Sequence, residues 1–207
     1  MTVAQALIAY LLAAGLLTIT PGLDTAMVLR TAAVQGSRRA AAAALGICLG
    51  LSLWGVASAV GLTALVAASQ TAYQALKWVG AAYLVWLGAG MLLRPQAMLD
   101  EPRSPGAGGA ATFFRQGLFT NLLNPKIGVF YITFLPQFVP AGVDAPGFIF
   151  GLVAIHIAMG VVWFAALILA VRPMGAVLRR PSLARWLSRI TGAVFVGFGA
   201  KLAFSRV

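Results

Sequence analysis

The sequence predicts an all-α polytopic membrane protein: six transmembrane helices in two inverted three-helix halves, the first helix of each half broken at a proline. Three observations carry that reading. The 207 residues are 61% hydrophobic and only 9% charged, a balance outside the range of soluble domains. Charge-free runs at residues 40–76 and 145–171 exceed the ~20 residues a helix needs to cross a bilayer. Thr20-Pro21-Gly22-Leu23-Asp24 and Asn124-Pro125-Lys126 set a proline beside a charge inside two further apolar stretches, about half a chain apart. Proline removes a helix donor and clashes with the preceding turn, so a helix containing it kinks or opens. The freed backbone groups cannot face lipid and must face protein or a watery cavity.

In chain order, helix one covers about Ala4–Arg30 and breaks at Pro21-Gly22. The start, Met1-Thr2-Val3-Ala4-Gln5, lacks a basic leader region, so this first run is expected to stay as a span. Gly36-Ser37-Arg38-Arg39 reads as a basic turn. Helix two lies within Ala40–Ser69, and its Gly46 and Gly50, four residues apart, leave a groove for a neighbouring helix of the same chain. Helix three covers Thr71–Leu93, with Tyr73, Lys77 and Trp78 suited to the headgroup level. Residues 94–112 are rich in proline and glycine and read as a linker between half one (1–93) and half two (113–207) of a single transporter domain. Helix four runs from Phe113 to Phe138, breaks at Asn124-Pro125 and bends again at Pro136. Helix five lies within Pro146–Val171 and contains Gly147 and Gly151. Helix six, Trp186–Phe204, spans if Arg189 and Lys201 snorkel.

The net charge of +11 is distributed over short segments between helices, which suits membrane orientation and contact with anionic lipid better than a phosphate-binding face, so no nucleic-acid partner is expected. Arg30, Arg38, Arg39, Arg94, Arg103, Arg115, Arg172, Arg179, Arg180, Arg185 and Arg189 fall on one side; Lys77, Lys201 and Arg206 fall on the other. The basic side is expected in the cytoplasm and both termini outside, in the plasma or inner membrane. Three spans per half make the halves antiparallel, the pattern of secondary transporters that bind cargo at the repeat interface.

Few side chains can carry chemistry. Asp24 is the one carboxylate beside a break; Asp100 and Glu101 fall in the linker, and Asp144 in a short outer turn. Asp24 could cap the helix that resumes after Pro21-Gly22, or act as a counter-ion or proton site. Lys126 could pair with Asp24 across the halves or receive an anionic group. Asn121 and Asn124 add amide donors and acceptors on the same segment, with helix–helix hydrogen bonding as the plainer role. His156, the single histidine, could relay protons, although a neutral histidine bonded to a neighbouring helix is the commoner case. Gln74 and Tyr83 read as packing more than as cavity lining. Cys48 is alone, so no disulfide or cysteine metal cluster can form within the chain. No metal site, phosphate loop or G-x-S-x-G turn is present, so neither a cofactor nor an enzyme activity is expected.

Thr20-Pro21-Gly22-Leu23-Asp24, Gly80-Ala81-Ala82-Tyr83-Leu84-Val85-Trp86-Leu87-Gly88 and Phe119-Thr120-Asn121-Leu122-Leu123-Asn124-Pro125-Lys126, leading on to Phe134-Leu135-Pro136-Gln137-Phe138, resemble the LysE/RhtB family of amino-acid exporters. That family's first motif usually reads Pro-Gly-Pro; Leu23 stands here in place of the second proline. The resemblance implies export of amino acids from the cytoplasm, exchanged against protons, with Pro21, Gly22, Asp24, Asn121, Asn124, Pro125 and Lys126 at the motif positions. A zwitterion needs a partner for its ammonium and one for its carboxylate, which Asp24 and Lys126 could supply together with half-helix ends of opposite dipole sign. No second intramembrane carboxylate is present for a lysine side chain, so neutral cargo such as homoserine, threonine or a leucine-like molecule is favoured. Two other classes stay open: a cation or metal exporter of related architecture, and a membrane-embedded protein that transports nothing. A homo-oligomer is compatible with all of these readings.

Overall fold

The structure, a computed structural model, describes residues 1–93, 108–178 and 181–204, and every regular element among them is helical. The first helix, α1 (Val3–Ile19), opens on a reciprocal cap: Thr2 Oγ1 accepts from the Gln5 amide and Gln5 Oε1 from the Thr2 amide. It ends where Pro21 cannot donate, and α2 (Leu23–Gln35) resumes at an angle of 47°. Gly36, at φ +86°, makes the next turn in a left-handed conformation that favours glycine. The turn is shorter than the sequence suggests: Ser37, Arg38 and Arg39 already belong to α3 (Ser37–Ala68), with Arg39 bonded back to Gln35 and its guanidinium over the Phe113 ring. A fourth helix, α4 (Gln70–Leu93), follows directly.

A second broken helix follows later in the chain. α5 (Ala110–Leu122) begins three residues before the expected Phe113, and residues 94–107 of the expected linker lie outside those described. After Leu123, Asn124 caps α6 (Pro125–Val129) through its side chain, with Pro125 in the first turn where its missing N–H costs nothing. The break at Asn124-Pro125 stands where expected, but the expected helical continuation to Phe138 with a bend at Pro136 is corrected here. Residues Phe130–Phe134 form a π-helical turn and Leu135–Phe138 a 3₁₀ turn. α7 (Ala145–Leu178) is capped by the Asp144 carboxylate on the Gly147 amide. It continues through Arg172 and Pro173, well beyond the expected end at Val171. α8 (Pro181–Phe204) starts five residues earlier than expected. Arg94, Arg103, Arg179, Arg180 and Arg206, and the side chains of Tyr73, Lys77, Arg172 and Lys201, lie outside those described.

α3 packs against α5, α7 and α2, α4 against α8, and α1 against α7. Glycines set the closest approaches. A Cβ on Gly46 would strike the Phe114 carbonyl and one on Gly117 the Ala43 carbonyl, so the main chains of α3 and α5 touch. Gly88 and Gly192 do the same for α4 and α8. Gly46 and Gly50 thus serve contacts within the chain, whereas Gly151 faces open space and Gly147 only Asp144. Tyr10, Phe130, Phe134 and Phe138 make an aromatic core between α1 and the irregular turns.

Large apolar side chains such as Leu12, Val79, Trp86, Val162 and Leu169 are more than half exposed, the inverse of a soluble surface. α3 over residues 37–61 and α7 over residues 145–171 are each long and apolar enough to cross a bilayer, and the bent pair α1–α2 makes a third such segment. This is an all-α membrane protein.

Candidate functional site

The two breaks meet, and the reason lies in the main chain. A helix interior would bond the residue 21 amide to Leu17 O and the residue 125 amide to Asn121 O. Proline leaves both carbonyls without that donor. Each finds another. Lys126 Nζ lies 3.5 Å from Leu17 O and 3.4 Å from Thr20 O, at the negative end of α1. Trp54 Nε1 of α3 reaches Asn121 O at 3.4 Å, which the Asn124 amide also bonds at 3.0 Å. The lysine of the second break thereby closes the end of the helix broken at the first. Gly22 leaves room for it: a Cβ there would sit 2.9 Å from Lys126 Nζ.

The first break answers with Asp24. Its carboxylate does not cap α2, whose cap residue Gly22 offers no side chain, so the capping reading is corrected. It accepts instead from Asn121 Nδ2 at 2.7 Å and from Asn124 Nδ2 at 3.3 Å. Asn124 works in two directions, donating to Asp24 through its nitrogen and capping the Lys126 amide through its oxygen at 3.1 Å. Asp24 is 9% exposed, Asn124 3% and Asn121 wholly buried. Such burial suits a carboxylate only because donors meet both its oxygens. Asp24 and Lys126 do not form an ion pair with each other; one is held by amides, the other by carbonyls.

Between these groups lies a cavity of about 30 Å³, lined by Thr20, Gly22, Asp24, Asn124, Lys126 and His156 together with apolar side chains. That holds roughly two waters and no amino acid. Asp24, Asn124, Lys126, Gly22 and His156 are therefore brought to one place. Asn121 supports Asp24 from behind, with its Oδ1 against Gly50 and without a hydrogen-bond partner. Pro21 and Pro125 act through the carbonyls they release. Gln74 and Tyr83 do not line the cavity; Tyr83 packs on Trp86. Trp54 and Thr25 fall in no motif of the sequence, and Thr20 stands there only as part of the first break motif. The indole N–H of Trp54, a donor that needs an acceptor when buried, was the one available signal. Thr20 reaches the Thr191 hydroxyl of α8, which ties that helix to the break.

A second, wholly different space lies beside the first. Gly15, Thr18, Ile19, Met159, Val162 and Trp163 line an apolar groove of about 430 Å³ between α1 and α7, and Thr18 borders both spaces. Trp163 Nε1 approaches Thr25 Oγ1 at 3.5 Å, at the wall between them.

The sequence as a whole is similar to known membrane proteins. The family model described as LysE type translocator matches residues 16–206. An uncharacterized membrane protein of Bacillus subtilis, YrhP, is 30% identical over 97% of this chain and all of its own. A homoserine/homoserine lactone efflux protein of Salmonella typhi is 34% identical over 96% of both chains. A leucine efflux protein of Klebsiella pneumoniae is 29% identical over 94% of this chain and 92% of its own. No solved structure matches. The family match covers nearly the whole chain and includes both breaks around the cavity: the chain belongs to the LysE-type translocator family, and is a membrane translocator.

Proposed function

We propose that this protein exports amino acids from the cytoplasm and that the cavity between the two breaks is where the backbone part of the cargo binds. The observation that carries the proposal is the placement of one carboxylate, Asp24, and one ammonium, Lys126, on the walls of a single cavity without direct pairing between them. Each charge is poised for an external partner of opposite sign, and a zwitterion carries both. The efflux of leucine and homoserine named for two relatives agrees with this chemistry. A second intramembrane carboxylate for a basic side chain is absent among the described residues, which favours neutral cargo such as homoserine, threonine or a leucine-like molecule. With room for about two waters, the cavity represents a closed conformation, and cargo enters only when it widens.

The same proposal takes the protein as six spans in two inverted halves, with both termini outside, the basic segments in the cytoplasm and protons as the exchanged ion. Its support is the pairing of breaks, the packing of α1 on α7 and of α5 on α3, and the asymmetry of arginine along the chain. The test is exchange in proteoliposomes. Vesicles loaded with L-leucine, L-homoserine or L-threonine should take up the same labelled amino acid faster than unloaded vesicles, and an inward-acid gradient should drive net flux. Equal uptake by loaded and empty vesicles for all three would overturn the reading.

A further inference from the structure

His156 is only 3% exposed, and its ring is held at one edge. Nδ1 lies 2.9 Å from Tyr131 Oη, and the ring packs on those of Phe130 and Tyr131, with centroids 5.8 and 5.7 Å away. No other hydrogen bond is made by either side chain among the described residues. The fully buried Tyr131 hydroxyl has one proton and no other acceptor, so the bond count assigns it as donor to Nδ1. The imidazole proton then sits on Nε2. In the reverse assignment the hydroxyl proton would be buried with no acceptor.

Nε2 has no protein partner, yet Asn121 Oδ1 is the sole fully enclosed side-chain polar atom without one among the described residues. The Nε2 edge is therefore not sealed in packing. His156 lines a void together with Asp24 and Lys126, and that void is the space on which its Nε2 edge can open. Tyr131 is fixed in turn by its place in the π-helical turn, where Ser58 Oγ of α3 donates to its carbonyl at 2.7 Å.

We infer that His156 is the second arm of the anion-binding side of the site, its Nε2–H sharing a substrate carboxylate with the Lys126 ammonium while Tyr131 sets the ring's tautomer as a positioning residue. The inference rests on the amino-acid reading above. Lysine is a point charge on a flexible stem and fixes no orientation by itself. A second donor on a rigid ring orients the carboxylate and separates an amino acid from a simple amine, which Asp24 alone would accept.

The test uses the full chain in proteoliposomes with whichever of L-leucine, L-homoserine and L-threonine the wild type exchanges, and 3-methylbutylamine, which is leucine without its carboxylate, as inhibitor. His156→Leu should raise the KM for the amino acid about tenfold or more, the effect of one hydrogen bond to a charged acceptor, and leave inhibition by the amine unchanged. His156→Gln, which retains an N–H donor, should recover most of the loss, and Tyr131→Phe should raise KM several-fold. Should His156→Leu not fold, Tyr131→Phe, lacking a single oxygen, decides by the same comparison. A folded variant in which amino acid and amine weaken together, or neither weakens, makes His156 a packing residue and sinks the inference while leaving the amino-acid reading in place. A wild type that exchanges none of the three removes both.

Discussion

Pro21→Ala returns one backbone donor to the first break, and the local geometry sets the size of its effect. The new N–H points at Leu17 O, and replacing proline inside a helix favours continuation of α1 into α2 by about 3 kcal/mol. Straightening the 47° bend would swing Asp24 off Asn121 and Asn124 and take Leu17 O from Lys126. Three charge-assisted hydrogen bonds of about 1.5–3 kcal/mol each oppose the change, roughly 4.5–9 kcal/mol in all. The bend should therefore survive, with Leu17 O now contested between an amide and the ammonium. Thermal unfolding of the purified variant should lie within about 2 kcal/mol of the parent, because with the bend retained only the competition for one carbonyl changes. Exchange in proteoliposomes should fall at least tenfold, because the lysine is no longer held where the cavity needs it. A variant that folds and exchanges like the wild type would show that the released carbonyl has no part in transport.

Asp24→Asn presents an amide nitrogen to one of two amide donors, so it should lose about 2–5 kcal/mol of stability and all response of exchange to a pH gradient. Because Asp24 and Lys126 share no direct bond, adding Lys126→Gln should restore neither, and pH-driven flux of wild-type size in the double variant would remove both residues from the site. For orientation, single cysteines in a Cys48→Ala background at the exposed positions Ser37 and Ser182 should resist an impermeant thiol reagent outside intact cells. One at Asp144 should react, and the opposite pattern would invert the protein in the membrane.

Both breaks were legible because proline, glycine and a charge have no ordinary place in an apolar run. The pattern could not say who would satisfy them. Asp24 and Lys126 are the opposite charges of the two breaks, which made an ion pair the natural expectation. In the structure neutral groups serve both, since proline leaves carbonyls at the end of α1 nearer to the ammonium, and Asn121 and Asn124 occupy the carboxylate. The π-helical turn at Phe130–Phe134 carries no comparable mark. Nothing in Phe-Tyr-Ile-Thr-Phe distinguishes it from α-helix, and within the turn the Tyr131 carbonyl accepts from Ser58 of α3, a contact distant in sequence. α7 outran its expected end because hydropathy marks the bilayer, not the last hydrogen bond, so a basic residue and a proline need not stop the helix.

Helices whose main chains touch at glycine have little room at the crossing for side chains to repack. α3 and α5 are joined in this way at Gly46 and Gly117, and α4 and α8 at Gly88 and Gly192. α1 meets α7 through ordinary side chains, with Gly15 facing only the flexible end of Met159 and the apolar groove beside it. The widening that the proposed amino-acid cargo requires would find its soft wall there. Of the contacts around the cavity, the α1–α7 seam is therefore the one held by side chains that can repack, and Thr18 there separates the polar space from the apolar one, whereas the two glycine-joined pairs lack that freedom.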